Sequence, residues 1–107
     1  MKGIIKEIVS TIKEEIKEQG FNVVEIILFG SRARGEYQKD SDWDVLVLVD
    51  RKITFKEKKK ITARINRKLA EKRIPCDVIL KYIEDHEKAK EIVGNISYFA
   101  NKGGVRI

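Results

Sequence analysis

Three short apolar runs constrain the fold more than any other feature of the chain. Each run is rich in branched residues and is too short for a typical amphipathic helix. Runs of this kind are typical of strands buried within a sheet. They are Val23–Phe29, Val45–Val49 and Ile74–Leu80. We therefore expect the chain to fold around a small β-sheet.

Helical periodicity flanks these runs. Apolar residues recur at helical spacing in residues 2–19, which predicts an amphipathic helix that ends at Gly20. Thr54 and Glu57 have the form of a capping box, and apolar residues follow them at four-residue steps. A second helix is therefore predicted from about residue 55 to residue 72, with a densely basic outer side.

The end of the chain is also helical in pattern. Ile83–Ala100 carries Gly94-Asn95 in its middle, so we expect a helix that breaks there and ends at Gly103-Gly104. The link between Val49 and Cys76 is long enough for a crossover helix. The predicted fold is α/β (α+β), with helices packed on a small mixed sheet of three strands, or four if Val105–Ile107 adds one.

A sharp turn follows the first predicted strand. Gly30 lets the backbone turn, and Ser31 is a good N-cap for the short segment Arg32–Gly35. Free backbone N–H groups at such a helix start attract phosphate. Taken alone, a glycine-serine pair is more often an ordinary strand-to-helix turn, so its meaning depends on its neighbours.

Two acids enter the second predicted strand. Asp42 and Asp44 lie two residues apart, so in a strand both carboxylates share a face at a spacing of about 7 Å, and Trp43 faces the other way. Like charges at this spacing raise the pKa of at least one carboxyl unless a cation lies between them. Carboxylate oxygens without histidine or cysteine suit Mg²⁺ or Mn²⁺ rather than zinc.

A third acid, Asp77, is embedded in the last apolar run. An ionised carboxylate among apolar residues is costly to bury without a partner. If this strand lies beside the one that carries Asp42 and Asp44, Asp77 can join the same metal site and take the proton of an attacking hydroxyl. Phosphates held at the Gly30-Ser31 turn would then be bridged by the metal during phosphoryl transfer.

These residues in this order resemble the DNA polymerase beta-like nucleotidyltransferase superfamily. More narrowly, the segment Gly30–Gly35 followed by Ser41-Asp42-x-Asp44 is similar to the minimal nucleotidyltransferases of bacteria and archaea. The resemblance covers nearly the whole chain. It implies transfer of a nucleotide, usually AMP from ATP, to a hydroxyl acceptor.

The same resemblance implies specific roles for the residues. Asp42, Asp44 and Asp77 become metal ligands, with Asp77 also the base, while Gly30 and Ser31 hold the triphosphate. Many minimal members are antitoxins encoded beside a HEPN-type ribonuclease toxin, and characterised ones adenylylate a tyrosine of that partner. The resemblance therefore predicts an antitoxin that modifies a HEPN-type toxin.

Several nearby residues have two interpretations. Arg32 and Ser41 are candidate nucleotide contacts, although a surface arginine and a turn-forming serine are the simpler alternatives. Asp40 has the same parity as Asp42, but it lies in a polar loop and is assigned to solvent. We expect Cys76 to be a small core residue and His86 to be exposed.

Length and charge set further limits. With 107 residues and 42% hydrophobic content, the chain fits a single domain over residues 1–107. Larger superfamily members add a substrate-binding domain, so the acceptor surface is expected from a second copy or another protein. One cysteine and no visible signal peptide or membrane-length apolar stretch indicate a cytoplasmic protein.

Two rival functions stay open. The first is a binding module that neutralises its partner by contact alone, and the second is a nucleotidyltransferase for small molecules, similar to aminoglycoside nucleotidyltransferases. The net charge of +6 also raises the question of nucleic acid. A solvated helix face is the simpler explanation for the basic residues of the second predicted helix, which are Lys56, Lys58, Lys59, Lys60, Arg64, Arg67, Lys68, Lys72 and Arg73.

Overall fold

A computed structural model describes residues 2–107 of the chain, with helices on both faces of a four-stranded sheet. The helices are α1 (Lys2–Glu18), α2 (Ser31–Arg34), α3 (Phe55–Glu71), α4 (Ile83–Ala89) and α5 (Ile96–Gly103). The strands are β1 (Val23–Phe29), β2 (Trp43–Val49), β3 (Cys76–Tyr82) and β4 (Val105–Arg106). The three predicted apolar runs thus supply three of the strands.

The sheet has the spatial order β3-β2-β1-β4. β2 and β3 are parallel, while β1 is antiparallel to both β2 and β4. The α3 crossover joins the two parallel strands, as predicted from the length of that connection. The mixed α/β fold is confirmed, and the short terminal strand is present beside β1.

The two faces of the sheet bury different residues. α1 and α3 cover one face, where alternate β2 residues join the larger core with Trp43. The helix residues of that core include Ile8, Ile12, Ile16, Ile61, Ile65 and Leu69. The opposite face is smaller and is built from Ile27, Phe29, Leu46, Leu48 and Ala100 of α5. Because side chains alternate along β2, Asp44 shares this second face with Leu46.

Local signals placed the helix ends. Thr54 and Glu57 form the predicted capping box at the start of α3. The predicted break near Gly94-Asn95 is present and separates α4 from α5. Asn95 caps α5 by accepting a hydrogen bond from the Tyr98 N–H, and its side-chain amide donates to the Ala89 carbonyl. No helix within residues 2–107 combines the length and apolarity needed to cross a membrane.

Two buried polar groups were not anticipated. His86 was expected to be exposed, but it is 4% exposed because α4 folds back onto the sheet. Glu15 lies fully buried on α1 and pairs with Arg64 and Lys68 of α3. Lys72 likewise pairs with Glu7, so part of the basic side of α3 is matched by acids of α1.

Candidate active site

Three strands place a row of residues at one edge of the sheet. Phe29, the last residue of β1, is the register partner of Asp44, and Asp44 is the partner of Asp77 on β3. Partners across neighbouring strands project from the same face. The structure therefore confirms that the strand carrying Asp77 lies beside the strand carrying Asp44. Asp42 precedes β2 directly, is exposed, and shares the parity of Asp44.

The carboxylates at this edge influence one another. Burial raises the pKa of Asp44, and the nearby charges of Asp77 and Asp42 raise it further. The positive charge of the Arg34 guanidinium lowers the pKa of Asp44 and so offsets part of this increase. The increase in carboxyl pKa that like charges at this spacing predict is therefore found at Asp44, which is the partly buried member of the group.

Gly30 brings the turn after β1 directly against this group. Its φ of 75° and ψ of −158° lie in a region that only glycine adopts without strain. A Cβ at this position would lie 2.4 Å from Oδ2 of Asp44. The Asp44 carboxylate therefore occupies the space that any other residue would fill.

Ser31 does not cap α2 as predicted. The N-cap is Gly30, whose carbonyl accepts from the N–H groups of Ala33 and Arg34, and Ser31 is the first helical residue. The prediction was wrong because the unusual backbone of Gly30 starts the helix one residue earlier. The Ser31 side chain makes no capping hydrogen bond, and its carbonyl accepts from Glu36 N–H instead.

Arg32 holds together the loop that leads to Asp42. Its guanidinium lies 4.5 Å from the ring centres of both Tyr37 and Trp43. It also donates to the carbonyls of Ser41, at 2.9 and 3.2 Å, and Lys39, at 3.2 Å. Sequence patterns did not reveal this clamp, although an arginine followed within about a dozen residues by two aromatic residues is the signal that could have suggested it.

Ser41 takes part in the same loop. Its hydroxyl accepts a hydrogen bond of 2.8 Å from the Gln38 N–H, which is the turn-forming alternative considered above. The roles of Arg32 and Ser41 as nucleotide contacts stay predictions. Asp40 is exposed in this loop, in agreement with its assignment to solvent.

The donor set suits a hard divalent cation. Asp42, Asp44 and Asp77 offer carboxylate oxygens at one edge of the sheet, and such oxygens are preferred by Mg²⁺ and Mn²⁺. Across residues 2–107, no group of three or more His, Cys, Asp and Glu side chains is already placed to hold a metal ion. The three acids are therefore candidate ligands by their chemistry and their position, and this structure does not gather their side chains around one point.

Cys76 immediately precedes Asp77 on β3, but its thiol is not a candidate catalytic or metal-binding group. Burial, reinforced by the charges of Asp77, Asp44 and Asp42, raises the pKa of its thiol to about 12. The neutral thiol is neither a nucleophile nor a metal ligand at ordinary pH. This agrees with the expectation that Cys76 is a packing residue.

Comparison with known proteins agrees with this geometry. The model of the nucleotidyltransferase domain family matches residues 9–99. Two relatives from Methanocaldococcus jannaschii are named as protein adenylyltransferases. MJ0141 is 48% identical over 58 residues, which cover 54% of this chain and 56% of that protein. MJ0604 is 44% identical over 46 residues, which cover 43% of each chain. The matches span about half the length of these curated relatives.

Solved structures share the fold. A crystal structure described as a nucleotidyltransferase from Sulfolobus solfataricus has a TM-score of 0.55 and 25% identity, covering 99% of this chain and 86% of that one. A toxin-antitoxin crystal structure with AMP-PNP has a TM-score of 0.57 and 18% identity, covering 91% of this chain and 69% of that one. The family match spans most of the sequence and includes β1, β2, β3, the turn and all three acids, so this chain belongs to the nucleotidyltransferase domain family.

Proposed function

We propose that this protein transfers AMP, or another NMP, from an NTP to a hydroxyl group and releases pyrophosphate. The observation that carries this proposal is the meeting of Asp44 and Asp77 on one face, with Gly30 pressed against the Asp44 carboxylate. A phosphate-binding turn and an acidic cluster at one point are what nucleotidyl transfer requires. The family membership supports the same chemistry.

The residues have the following proposed roles. Asp42, Asp44 and Asp77 would hold Mg²⁺ or Mn²⁺, and the turn at Gly30 and Ser31 would bind the triphosphate. A bound divalent ion offsets the negative charge of the phosphates when the α-phosphate is attacked.

Asp77 takes the proton of the acceptor hydroxyl. The hydroxyl oxygen bonds to the α-phosphorus while the bond from that phosphorus to the bridging oxygen breaks, and the electron pair leaves with pyrophosphate. Atoms and charges therefore balance without any further reactant.

The donor and acceptor are proposed from the relatives and the resemblance. ATP is the donor because the matched relatives are named as protein adenylyltransferases. The acceptor is a hydroxyl side chain of a HEPN-type toxin, which makes this chain the antitoxin of a two-gene module. A structural neighbour that is a toxin-antitoxin complex is in keeping with a protein partner. Homo-oligomer formation and a cytoplasmic location stay predictions.

The test uses ATP labelled on its α-phosphate, Mg²⁺, the purified protein and the product of the adjacent gene. Asp42→Asn and Asp44→Asn should each lower labelling of the partner by at least about 100-fold. Asp40→Asn is the matched control because this exposed aspartate lies in the same loop and has the same parity as Asp42. It should label the partner at the unaltered rate.

The alternatives predict different results. Full neutralisation of the partner with no label transferred would contradict the enzymatic proposal and support a binding module. Transfer of label to an added aminoglycoside, with none to the protein partner, would instead support a nucleotidyltransferase for small molecules.

A further inference from the structure

A cavity of about 420 Å³ lies between the end of β1 and α5. Its walls are mostly apolar, and two cationic side chains also line it. The lining residues are Phe29, Gly30, Arg34, Ile96, Phe99, Lys102 and Gly103. Small-molecule sites commonly have this size, apolar walls and a small number of charged groups.

The cavity is on the same side of the sheet as the acids. Phe29 lines the cavity and is the register partner of Asp44, so the two side chains share one face. Gly30 joins the cavity to the acids, because it forms part of the cavity wall and also lies against the Asp44 carboxylate. Arg34 also lines the cavity, and its backbone N–H donates to the Gly30 carbonyl.

We propose that this cavity binds the nucleobase of the donor nucleotide. The base packs among Phe29, Ile96 and Phe99, and the phosphates extend past Gly30 to the acids. This inference rests on the proposed transfer function and adds the position of the donor. The cations Arg34 and Lys102 complement the negative charge of the triphosphate.

Another cleft of about 610 Å³ does not suit the donor. It is lined by the start of α1 and the segment from Lys72 to Ile74, and none of the three acids contributes to it. α1 and α3 cover the opposite face of the sheet from Asp44. A base bound there could not place its own phosphates beside the Gly30 turn.

The apolar lining also defines the kind of base that fits. Phe29, Ile96 and Phe99 have no hydrogen-bonding side-chain groups, so their contacts with a base depend on buried area and stacking. A purine offers more area than a pyrimidine. We therefore expect ATP and GTP to bind several-fold more tightly than CTP and UTP.

The test compares the binding of ATP with that of inorganic tripolyphosphate, which has the phosphates and no base. Phe99→Ala removes an aromatic wall whose side chain is 56% exposed, so the fold should tolerate it. Phe55→Ala is the matched control, because Phe55 is 80% exposed at the start of α3. Calorimetry in the presence of Mg²⁺ should show ATP binding about tenfold weaker in Phe99→Ala, with tripolyphosphate unchanged. Phe55→Ala should bind both as the unaltered protein does.

A second variant fills the cavity. Gly103 lines it, and a Cβ at Gly103 would meet nothing within 4 Å. Gly103→Leu should therefore weaken ATP binding and spare tripolyphosphate. The inference is overturned if both variants bind ATP normally, or if each loses ATP and tripolyphosphate equally.

The label-transfer assay separates this inference from the function on which it rests. Transfer by the unaltered protein together with normal ATP binding by both variants would leave the proposed function standing and reject the base site. Suppose instead that both variants lose binding to ATP but not to tripolyphosphate, and that the unaltered protein transfers no label. The base site would then stand and the proposed function would be rejected. Failure of the unaltered protein to bind any of ATP, GTP, CTP and UTP would reject both.

Discussion

Asp44 and Asp77 are register partners on neighbouring parallel strands, so their carboxylates leave one face of the sheet at the same level. This relationship connects two parts of the chain that are separated by the whole of α3. We expect Asp77→Asn to lower the transfer rate by about 100-fold or more, because an amide cannot take the proton of the acceptor. Asp77 is exposed, so the free energy of unfolding should change little. A normal transfer rate in Asp77→Asn would remove this residue from the proposed mechanism.

The backbone of Gly30 offers a second prediction. Gly30→Ala places a methyl group 2.4 Å from Oδ2 of Asp44 and forces alanine into a glycine-only conformation. We expect a loss of about 2 kcal/mol in the free energy of unfolding, and loss of transfer as the Asp44 carboxylate is displaced. Gly35→Ala is the control, since Gly35 has a φ of 75° but open space around its Cβ position. It should cost about 1 kcal/mol and retain transfer, as urea unfolding and the labelling assay can show.

The Arg32 clamp leads to a prediction about stability. Arg32→Ala removes hydrogen bonds to two loop carbonyls and contacts with two aromatic rings, which together should lower the free energy of unfolding by about 2 kcal/mol. Arg32→Lys should recover less than half of this loss, because lysine lacks the planar fork. Arg34→Ala, at an exposed ion pair with Glu36, should have a much smaller effect. Full stability in Arg32→Lys would show that charge alone matters here.

The buried Glu15 predicts a specific loss of stability in acid. Burial by itself raises the pKa of Glu15. The ion pairs with Lys68, at 2.8 Å, and with Arg64 outweigh burial and lower this pKa to about 2. A lowered carboxyl pKa stabilises the fold above the ordinary value of 4.5, and this stabilisation is lost as the pH falls toward 2. Since both cations are partly exposed, we expect a contribution on the order of 2 kcal/mol.

Urea unfolding at several pH values checks this prediction. Glu15→Gln should be less stable than the unaltered protein at neutral pH, and the difference should shrink as the pH falls from 4.5 toward 2. Glu14→Gln is the control because Glu14 is exposed on the same helix. A difference that stays constant across this range would mean that Glu15 acts through packing and not through its charge.

The acids and the strands could be predicted because their signals are local. The apolar runs mark β1, β2 and β3, and the alternation along β2 places Trp43 in the core with Asp44 on the other face. The adjacency of Asp77 needed one further step, which the length of the crossover between Val49 and Cys76 made reasonable. Ion pairs and stacking across distant segments have no such signal.

The features that the sequence did not reveal depend on tertiary contacts. His86 is buried because α4 packs on the sheet. A single histidine in a polar helix gives no sequence signal for this packing. The sequence does not distinguish Glu15 from the exposed acids of α1, because its partners Arg64 and Lys68 come from α3. Phe99 lines a cavity only because α5 folds back to the end of β1, a placement that helical periodicity cannot specify.

The most direct measurement of the central claim is the intact mass of the acceptor. The product of the adjacent gene is incubated with this protein, Mg²⁺ and ATP, and both proteins are weighed by mass spectrometry. We predict that the acceptor gains the mass of one or more AMP groups, and that Asp44→Asn abolishes the gain. An unchanged acceptor mass with the unaltered protein, or an equal gain with Asp44→Asn, would contradict the account.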